Sequence, residues 1–137
     1  MIALTKEKIN KQSSKLKMKI LVFDDDQINR RILSRYLEDY GDVVVVDCGE
    51  EAINKCKSDF FDLVLLDIRS KDGMDGVKAL KKIKEIDRYK DIPVLAITGY
   101  AMNRDKEYFL QEGFNGYLAK PFLKDTFIEF IKNYLPI

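Results

Sequence analysis

The sequence predicts an α/β fold: a doubly wound, five-stranded parallel sheet with helices on both faces. The first observation behind this prediction is a set of short runs, rich in Val, Ile and Leu, at residues 20–23, 43–46, 63–66, 94–97 and 117–119. They are apolar on successive residues, which is typical of strands buried on both faces. The second is the helical spacing of apolar residues between the runs. Alternating strands and helices with short right-handed crossovers leave few other topologies.

Three of the predicted helices carry a clear apolar stripe. The stripes are Ile28, Ile32, Leu33, Tyr36, Leu37 and Tyr40 in the first helix, Val77, Leu80, Ile83 and Ile86 in the third, and Phe127, Ile128, Ile131, Tyr134 and Leu135 in the last. Gly41 is interpreted as the stop of the first helix. The second helix, near residues 50–57, and the fourth, near residues 103–112, are less sharply patterned.

Length and composition indicate one globular domain. The chain has 137 residues, of which 46% are apolar and 34% charged, the balance of an ordinary folded protein. Residues 1–19 contain six lysines and one glutamate, so the rest is mildly acidic, because the whole chain carries only +1. We therefore expect a basic flexible leader or linker over residues 1–17, a folded domain over residues 18–137, and no general affinity for nucleic acid.

Several classes of protein and site are excluded or disfavoured. No apolar run reaches the roughly 18 residues of a membrane span, and the amino terminus lacks the apolar core of a signal peptide. Cys48 and Cys56 are therefore predicted to be free thiols in a reducing compartment, which indicates a cytoplasmic protein. Because the chain contains no histidine, Cys–His metal sites and Ser–His or Cys–His nucleophile pairs are excluded.

Polar side chains follow four of the five predicted strands. Three aspartates at residues 24–26 come directly after the first run, Asp67 follows the third, Thr98 the fourth and Lys120 the fifth. Ligands of open parallel sheets bind beyond the carboxyl ends of the strands. The sequence therefore predicts that carboxylates, a hydroxyl and an ammonium meet at one edge.

Each of these side chains also has an ordinary structural interpretation. Asp25 or Asp26 could be the N-cap of the following helix. Thr98 could close a strand, and Lys120 could be a loop residue. Asp67 is the hardest to explain as a cap, because it follows Leu-Val-Leu-Leu and precedes Ile and a glycine-containing loop. Taken together, the four strand ends favour a site.

The residue types indicate phosphoryl chemistry. Several carboxylates at one edge repel one another, and a divalent cation relieves that repulsion. An all-oxygen site with open positions suits Mg²⁺, which accepts phosphate as a further ligand. Thr98 and Lys120 could hold the remaining phosphoryl oxygens. Asp67 would then be the nucleophile, with no base required, because a carboxylate is already ionised.

These segments resemble the receiver domain of two-component response regulators. Residues 19–26 look like its first strand with an acidic pair, residues 65–67 like its phosphoacceptor strand, residues 96–99 like its hydroxyl motif and residues 116–122 like its lysine motif. The resemblance covers about residues 18–135. Any one motif is weak, but four in the right order and spacing are specific.

The resemblance implies strand order 2-1-3-4-5 and a set of site roles. Asp67 would accept phosphate from a phosphohistidine of a sensor histidine kinase or a histidine phosphotransfer protein. Asp25 and Asp67 would ligate Mg²⁺, Asp24 would act mainly through water, and the backbone carbonyl of Arg69 would complete the protein ligands. Such a domain catalyses only its own phosphorylation and dephosphorylation, so it is not expected to be an enzyme acting on other substrates.

The resemblance also implies how the signal would leave the site. Thr98 and Lys120 would contact the phosphoryl oxygens, and Gly99 would leave room for them. The bond between Lys120 and Pro121 would be cis. Tyr117 would be a switch aromatic that turns inward when Thr98 is drawn to the phosphate, although a plain core or surface tyrosine is the simpler alternative. A downstream protein partner would bind the face between the fourth and fifth helices.

One departure from the family pattern lies beside Asp67. The loop over residues 68–76 is one residue longer than usual and lacks the usual proline, although Met74, Asp75 and Gly76 keep the start of the next helix. The altered loop contains Arg69, whose backbone carbonyl is one of the ligands that the resemblance implies.

Two other functions compete with this interpretation. A haloacid-dehalogenase-like phosphatase also opens with a strand-end Asp-x-Asp, which Asp24 and Asp26 supply, with Thr98 and Lys120 as later motifs. It would leave Asp67 without a role and would require a late acidic pair that the sequence lacks. A degenerate receiver that only binds partners is disfavoured, because every key residue is present.

Overall fold

The chain alternates strands and helices from Met18 onward. The computed structural model describes residues 18–68, 76–99 and 103–135, and the side chains of residues 103–105 are not described. The strands are β1 (Met18–Phe23), β2 (Gly41–Val46), β3 (Leu63–Asp67), β4 (Val94–Thr98) and β5 (Gly116–Ala119). The helices are α1 (Gln27–Leu37), α2 (Gly49–Ser58), α3 (Gly76–Lys84), α4 (Asn103–Glu112) and α5 (Lys124–Lys132). The predicted leader lies outside the described residues, so the division at residue 18 stays a prediction.

All five strands form one parallel sheet in the order β2-β1-β3-β4-β5. This confirms the predicted class and strand order. Every residue of β3 and β4 is buried, whereas the edge strands β2 and β5 are only partly buried. The continuous apolar runs of the inner strands follow from this, since helices cover both faces of the sheet.

Helices cover the two faces of the sheet unequally. On one face α2, α3 and α4 bury a cluster against the sheet that includes Ala52, Ile53, Cys56, Leu80, Ile83 and Phe109. On the other face α1 and α5 bury Leu33, Leu37, Phe127 and Ile131. Side chains alternate along each strand, so Leu21 and Phe23 join the first cluster while Ile20 and Val22 join the second.

The first apolar stripe is only partly a core stripe, which corrects the prediction. Leu33 and Leu37 are buried, but Ile28 is 67% exposed and Ile32 is 39% exposed. The helix is amphipathic over a wider arc than the sheet covers, so the two isoleucines lie on its open flank. They are next to the carboxyl edge of the sheet, because α1 begins there.

Gly41 is not the stop of the first helix. The helix ends at Leu37, and Gly41 is the first residue of β2. A Cβ at Gly41 would lie 2.2 Å from the carbonyl oxygen of Met18 on the neighbouring strand. The glycine is therefore required by close contact between backbones.

A short 3₁₀ helix, Asp87–Tyr89, was not predicted and supports the end of α2. The Arg88 guanidinium donates to the carbonyl oxygens of Cys56 at 2.5 Å, Lys57 at 3.0 Å and Asp59 at 2.6 Å. The Tyr89 hydroxyl donates to the Asp59 carbonyl at 2.8 Å. These bonds satisfy carbonyls that a helix leaves unpaired at its C-terminus.

Candidate functional site

The register between β1 and β3 places two aspartates side by side. Phe23 pairs with Leu66, and the residues that follow them are Asp24 and Asp67. Both residues are buried, Asp24 at 1% exposure and Asp67 at 5%. Buried carboxylates require partners with the opposite charge or hydrogen-bond donors.

The register between β4 and β5 brings a hydroxyl and an ammonium to the same edge. Thr98 is the last residue of β4, is buried, and pairs with Ala119. The backbone N–H of Lys120 donates to the Thr98 carbonyl at 2.7 Å. Sequence order and register together therefore align four strand ends at one edge, as predicted.

Lys120 supplies the opposite charge for both buried aspartates. Its Nζ donates to Asp24 Oδ2 at 2.6 Å and to Asp67 Oδ2 at 3.3 Å. Burial of the ammonium by itself lowers the pKa of Lys120, but the hydrogen bond to Asp24 and the charges of Asp67 and Asp24 outweigh it. The pKa of Lys120 is therefore raised above its ordinary value.

The triplet of aspartates after β1 divides its roles. Asp26 is the N-cap of α1, and its Oδ1 accepts from the backbone N–H of Ile28 at 2.9 Å. Asp24 Oδ1 accepts from the N–H of Asp26 at 2.9 Å, which shapes the turn. Of the two candidate caps that the sequence left open, the structure therefore selects Asp26.

The carboxylates of Asp24, Asp25 and Asp67 converge, with one oxygen of each lying within 4.8 Å of the others. With Lys120 beside them and all four groups ionised, the cluster has a formal charge of −2. Oxygen-only donors with this excess charge fit a hard divalent cation such as Mg²⁺. Asp26 lies outside this cluster, because its carboxylate is used as the cap.

The backbone around the site is shaped by glycines and by a cis bond. A Cβ at Gly76 would lie 2.4 Å from the Asp67 carbonyl oxygen, so α3 starts in direct contact with the end of β3. Among the described residues, no atom lies within 4 Å of a Cβ built at Gly99. The Lys120–Pro121 peptide is cis, as predicted.

Tyr117 lies on the same face of the sheet as Thr98. On β5, Tyr117 pairs with Ala96, two residues before Thr98 on β4, so the two side chains leave the sheet in the same direction. Tyr117 is half-buried and its ring stacks on Phe109 of α4 at a centroid distance of 5.6 Å. Thr98 and Tyr117 therefore lie on the same face of the sheet, on neighbouring strands.

Two features of the site were missed in the sequence. Arg30 on α1 donates from Nη1 to the Asp24 carbonyl oxygen at 2.8 Å, and Gly76 contacts the carbonyl of Asp67. A start-of-helix glycine and an arginine one turn into a helix are common, so neither carried a signal by itself. Arg69 and the altered loop lie outside the described residues.

Comparison with protein families identifies the family of the chain. The family model described as response regulator receiver domain matches residues 20–132. The chain belongs to the response regulator receiver domain family. Within the described residues of this receiver domain, no helix has the length and apolar character needed to cross a bilayer.

Two curated relatives show different contexts for a receiver domain. The chain is 36% identical over 124 residues to the signal transduction histidine-protein kinase BarA of Escherichia coli (strain K12), covering 90% of this chain and 13% of that protein. It is 31% identical over 117 residues to the polar-differentiation response regulator DivK of Brucella ovis, covering 85% of this chain and 94% of that protein. The chain thus spans only a small part of the kinase relatives that it matches.

One solved structure with the same fold is a receiver domain that holds a metal ion. The receiver domain of the sensor histidine kinase PA1611 from Pseudomonas aeruginosa superposes with a TM-score of 0.77 at 28% identity, covering 86% of this chain and 97% of that chain. Its magnesium ion is coordinated in the active site cleft. The comparisons show a phosphoryl-accepting receiver of two-component signalling, and they do not support the phosphatase alternative based on Asp24 and Asp26.

Proposed function

We propose that this receiver domain accepts a phosphoryl group on Asp67 from a phosphohistidine of a sensor histidine kinase or a histidine phosphotransfer protein. The observation that carries the proposal is the Lys120 ammonium, which contacts the carboxylates of both Asp67 and Asp24. An ammonium at the open edge of the sheet, 3.3 Å from the acceptor, is placed to offset charge on an incoming phosphoryl oxygen.

The transfer is a substitution at phosphorus. One carboxylate oxygen of Asp67 attacks, so a P–O bond forms while the P–N bond to the partner's imidazole breaks. The electron pair of the broken bond stays on the imidazole nitrogen. Because a carboxylate ion carries no proton to remove, Asp67 attacks in that form without a base, and the chain contributes positioning and charge neutralisation.

Asp24, Asp25 and Asp67 are the proposed protein ligands of Mg²⁺, with Asp24 acting mainly through water. Their convergent oxygens and the excess negative charge support this assignment. When bound, the cation offsets charge on the carboxylate and phosphoryl oxygens. The backbone carbonyl of Arg69 is the proposed remaining protein ligand; it rests on the family resemblance alone.

Thr98 and Lys120 are proposed to hold the phosphoryl oxygens that the cation does not contact. Thr98 lies one residue beyond Ile97, which pairs with Asp67 in the sheet, so the hydroxyl and the acceptor leave neighbouring strands. A Cβ at Gly99 would meet no atom within 4 Å in the part of the chain that the structure describes, which supports room for the transferred group. Lys120 would then exchange part of its contact with Asp67 for the phosphoryl oxygen.

Tyr117 is the proposed switch residue. Attraction of Thr98 towards the phosphoryl group would empty space on the sheet face that the two residues share. Tyr117 would then turn further inward and change its stacking on Phe109 of α4. The half-buried state of Tyr117 supports this role, because a fully buried ring would have no second position to adopt.

The phosphodonor is proposed to dock beside the carboxyl edge of the sheet. Three large apolar side chains are exposed around this edge: Ile28 and Ile32 of α1, and Leu123 just before α5, which is 77% exposed. A cavity of about 440 Å³ lies between α1 and the cis-proline loop and is lined by Asn29, Ile32, Leu33, Tyr36, Gly99, Lys120, Pro121 and Phe122. Apolar surface at the mouth of a charged site is typical of a protein-docking surface.

A downstream protein partner is proposed to bind the face between α4 and α5. Tyr108 and Leu110 of α4 are 47% and 42% exposed, so α4 presents apolar surface that a partner could contact. Tyr117 lies under α4, so its movement would change this face.

We further propose a cytoplasmic location, since Cys48 and Cys56 are free thiols. We also propose that the domain has no activity on substrates other than its own phosphoryl group.

Intact mass measurement tests the proposal directly. The protein is incubated with Mg²⁺ and a small phosphodonor such as phosphoramidate, beside the variants Asp67→Asn and Asp26→Asn. We expect one phosphoryl adduct on wild type and on Asp26→Asn, because Asp26 is only the helix cap, and none on Asp67→Asn or without Mg²⁺. An adduct that survives in Asp67→Asn would place the acceptor on another residue and contradict the proposal.

A further inference from the structure

Arg30 is placed beside the site without a role in the chemistry described above. It lies in the first turns of α1, is half-buried, and its Nη1 donates to the backbone carbonyl oxygen of Asp24 at 2.8 Å. We propose that Arg30 is a positioning residue, which holds the Asp24–Asp25 peptide so that the Asp25 carboxylate is presented to Mg²⁺. The inference rests on the proposed function, because Asp25 is a metal ligand only there.

The geometry of the peptide unit links Arg30 to Asp25. The carbonyl oxygen of Asp24 and the amide nitrogen of Asp25 belong to one rigid plane. A donor that fixes the carbonyl oxygen therefore fixes the plane from which the Asp25 Cα departs. At this point the chain has left β1, where the N–H of Asp24 still donates to Val46 at 3.2 Å, and has not yet entered α1.

Asp25 depends on its backbone more than the other two carboxylates do. Asp24 is held through both oxygens, by the N–H of Asp26 and by Lys120. Asp67 is held by Lys120 and by its place in β3. Within the part of the chain that the structure describes, the Asp25 carboxylate accepts no hydrogen bond and forms no ion pair, although it lies in the convergent cluster. Its direction is therefore set by the peptide that Arg30 holds.

An effect of the Arg30 charge and an effect of positioning predict opposite changes in Mg²⁺ affinity when Arg30 is removed. The direction of the change therefore tests the inference. A guanidinium near a cation site repels the cation, so removal of the charge alone tightens Mg²⁺ binding. Removal of a group that orients a ligand weakens metal binding, by roughly tenfold or more in metal sites of known proteins. Loss of fold stability alone would lower the melting temperature and leave the Mg²⁺ affinity of the folded protein unchanged.

The test is Mg²⁺ titration of the whole chain by isothermal titration calorimetry. Wild type is compared with Arg30→Met and with Arg31→Met, a matched control that removes the same charge from an exposed neighbour on the same helix. We expect the Mg²⁺ Kd of Arg30→Met to rise roughly tenfold, and the Kd of Arg31→Met to equal or fall below that of wild type. An Arg30→Met Kd equal to or lower than that of wild type would overturn the inference.

Two further readouts keep the test decisive. If Arg30→Met lacks a cooperative thermal unfolding transition, Arg30→Gln is titrated instead under the same criterion, since its shorter side chain cannot span the same distance. Failure of wild type to bind Mg²⁺ would overturn the proposed function together with this inference. Normal Mg²⁺ binding and phosphorylation of wild type, with an unchanged Kd in the Arg30 variants, would overturn the positioning role alone.

Discussion

Lys120 and Asp24 are separated by 96 positions in the chain, yet the Lys120 ammonium lies 2.6 Å from Asp24 Oδ2. The contact joins the end of β5 to the end of β1 across the two strands that lie between them in the sheet. It is made on the carboxyl edge, where Asp67 is the second acceptor of the same ammonium. The ion pair that links β5 to β1 at this edge is therefore part of the proposed phosphorylation site.

Removal of this ammonium should destabilise the domain, and Mg²⁺ should restore part of the loss. In Lys120→Met the nearly inaccessible Asp24 carboxylate loses its charged partner, and removal of one partner of a buried pair costs about 3–5 kcal/mol. Urea unfolding with EDTA and with Mg²⁺ measures both effects. Lys82→Met, which changes an exposed lysine on α3, is the control and should stay within about 0.5 kcal/mol of wild type.

The pH dependence of that difference follows from the raised pKa of Lys120. A lysine whose pKa is higher in the folded than in the unfolded state stabilises the fold fully below the unfolded pKa, here 10.5, and stops doing so as pH rises through the folded pKa. The stability difference between wild type and Lys120→Met should therefore be constant near neutrality and narrow above pH 10.5. If this stability difference narrowed only towards acid pH, through a gain in the stability of Lys120→Met, repulsion between the carboxylates would be its main cause. That result would contradict the prediction.

Two glycines beside the site should respond differently to alanine. In Gly76→Ala the new Cβ would lie 2.4 Å from the Asp67 carbonyl oxygen, and backbone must shift to admit it. We expect a loss of about 1–3 kcal/mol, as for other overpacked sites, together with slower phosphorylation. In Gly99→Ala the new Cβ would meet no described atom within 4 Å, so we expect a free energy of unfolding within about 0.5 kcal/mol of that of wild type. Equal unfolding free energies in the two variants would contradict the proposed close contact at Gly76.

The two cysteines should differ in reactivity and in their effect at alkaline pH. Burial raises the pKa of the Cys56 thiol to about 11, so this thiol stays protonated in the fold when it would ionise in the unfolded chain. The free energy of unfolding should therefore fall as pH rises from 9 to about 11, and less steeply in Cys56→Ala.

At neutral pH Ellman's reagent should modify the half-buried Cys48 first, and fast reaction of Cys56 would contradict its buried position.

The proposed switch can be observed through fluorine labels on tyrosine. With 3-fluorotyrosine incorporated, addition of beryllofluoride and Mg²⁺ should shift the ¹⁹F resonance of Tyr117, assigned by Tyr117→Phe. Tyr89, which is buried at the opposite end of the sheet and bonded to Asp59, is the internal control and should not move. The shift should disappear in Thr98→Ala. If the Tyr117 resonance moved equally in Thr98→Ala, the ring would respond without Thr98. That result would contradict the proposed coupling between the two residues.

Several parts of the site were predictable because they are encoded locally. Asp67 and Thr98 end buried apolar strands and Lys120 follows the partly buried β5, and parallel strands must present their carboxyl ends at one edge. The apolar run identifies the strand, and the direction of the chain identifies the carboxyl end of that strand. No long-range contact is needed for this prediction. The same reasoning yielded the sheet and its covering helices.

Other parts could not be read from spacing, because they depend on which surfaces meet. The periodicity of α1 includes Ile28 and Ile32 with Leu33, but only the sheet position determines that the first two are exposed. A glycine after a helix predicts a stop by its conformational freedom, whereas Gly41 is required by the Met18 carbonyl on another strand. Both errors arise because local pattern carries no information on the opposing backbone.

The sequence by itself determined the fold class, the strand ends and the residue types that meet there, since hydrophobic burial selects the strands and chain direction orients them. Only the tertiary structure decided how the three aspartates after β1 divide their contacts, with Asp26 as helix cap, Asp24 bound to Lys120 and Asp25 in the carboxylate cluster that we propose to hold Mg²⁺. The reason is physical: adjacent carboxylates are equivalent in the chain, and they become different only through the donors that folding brings to each.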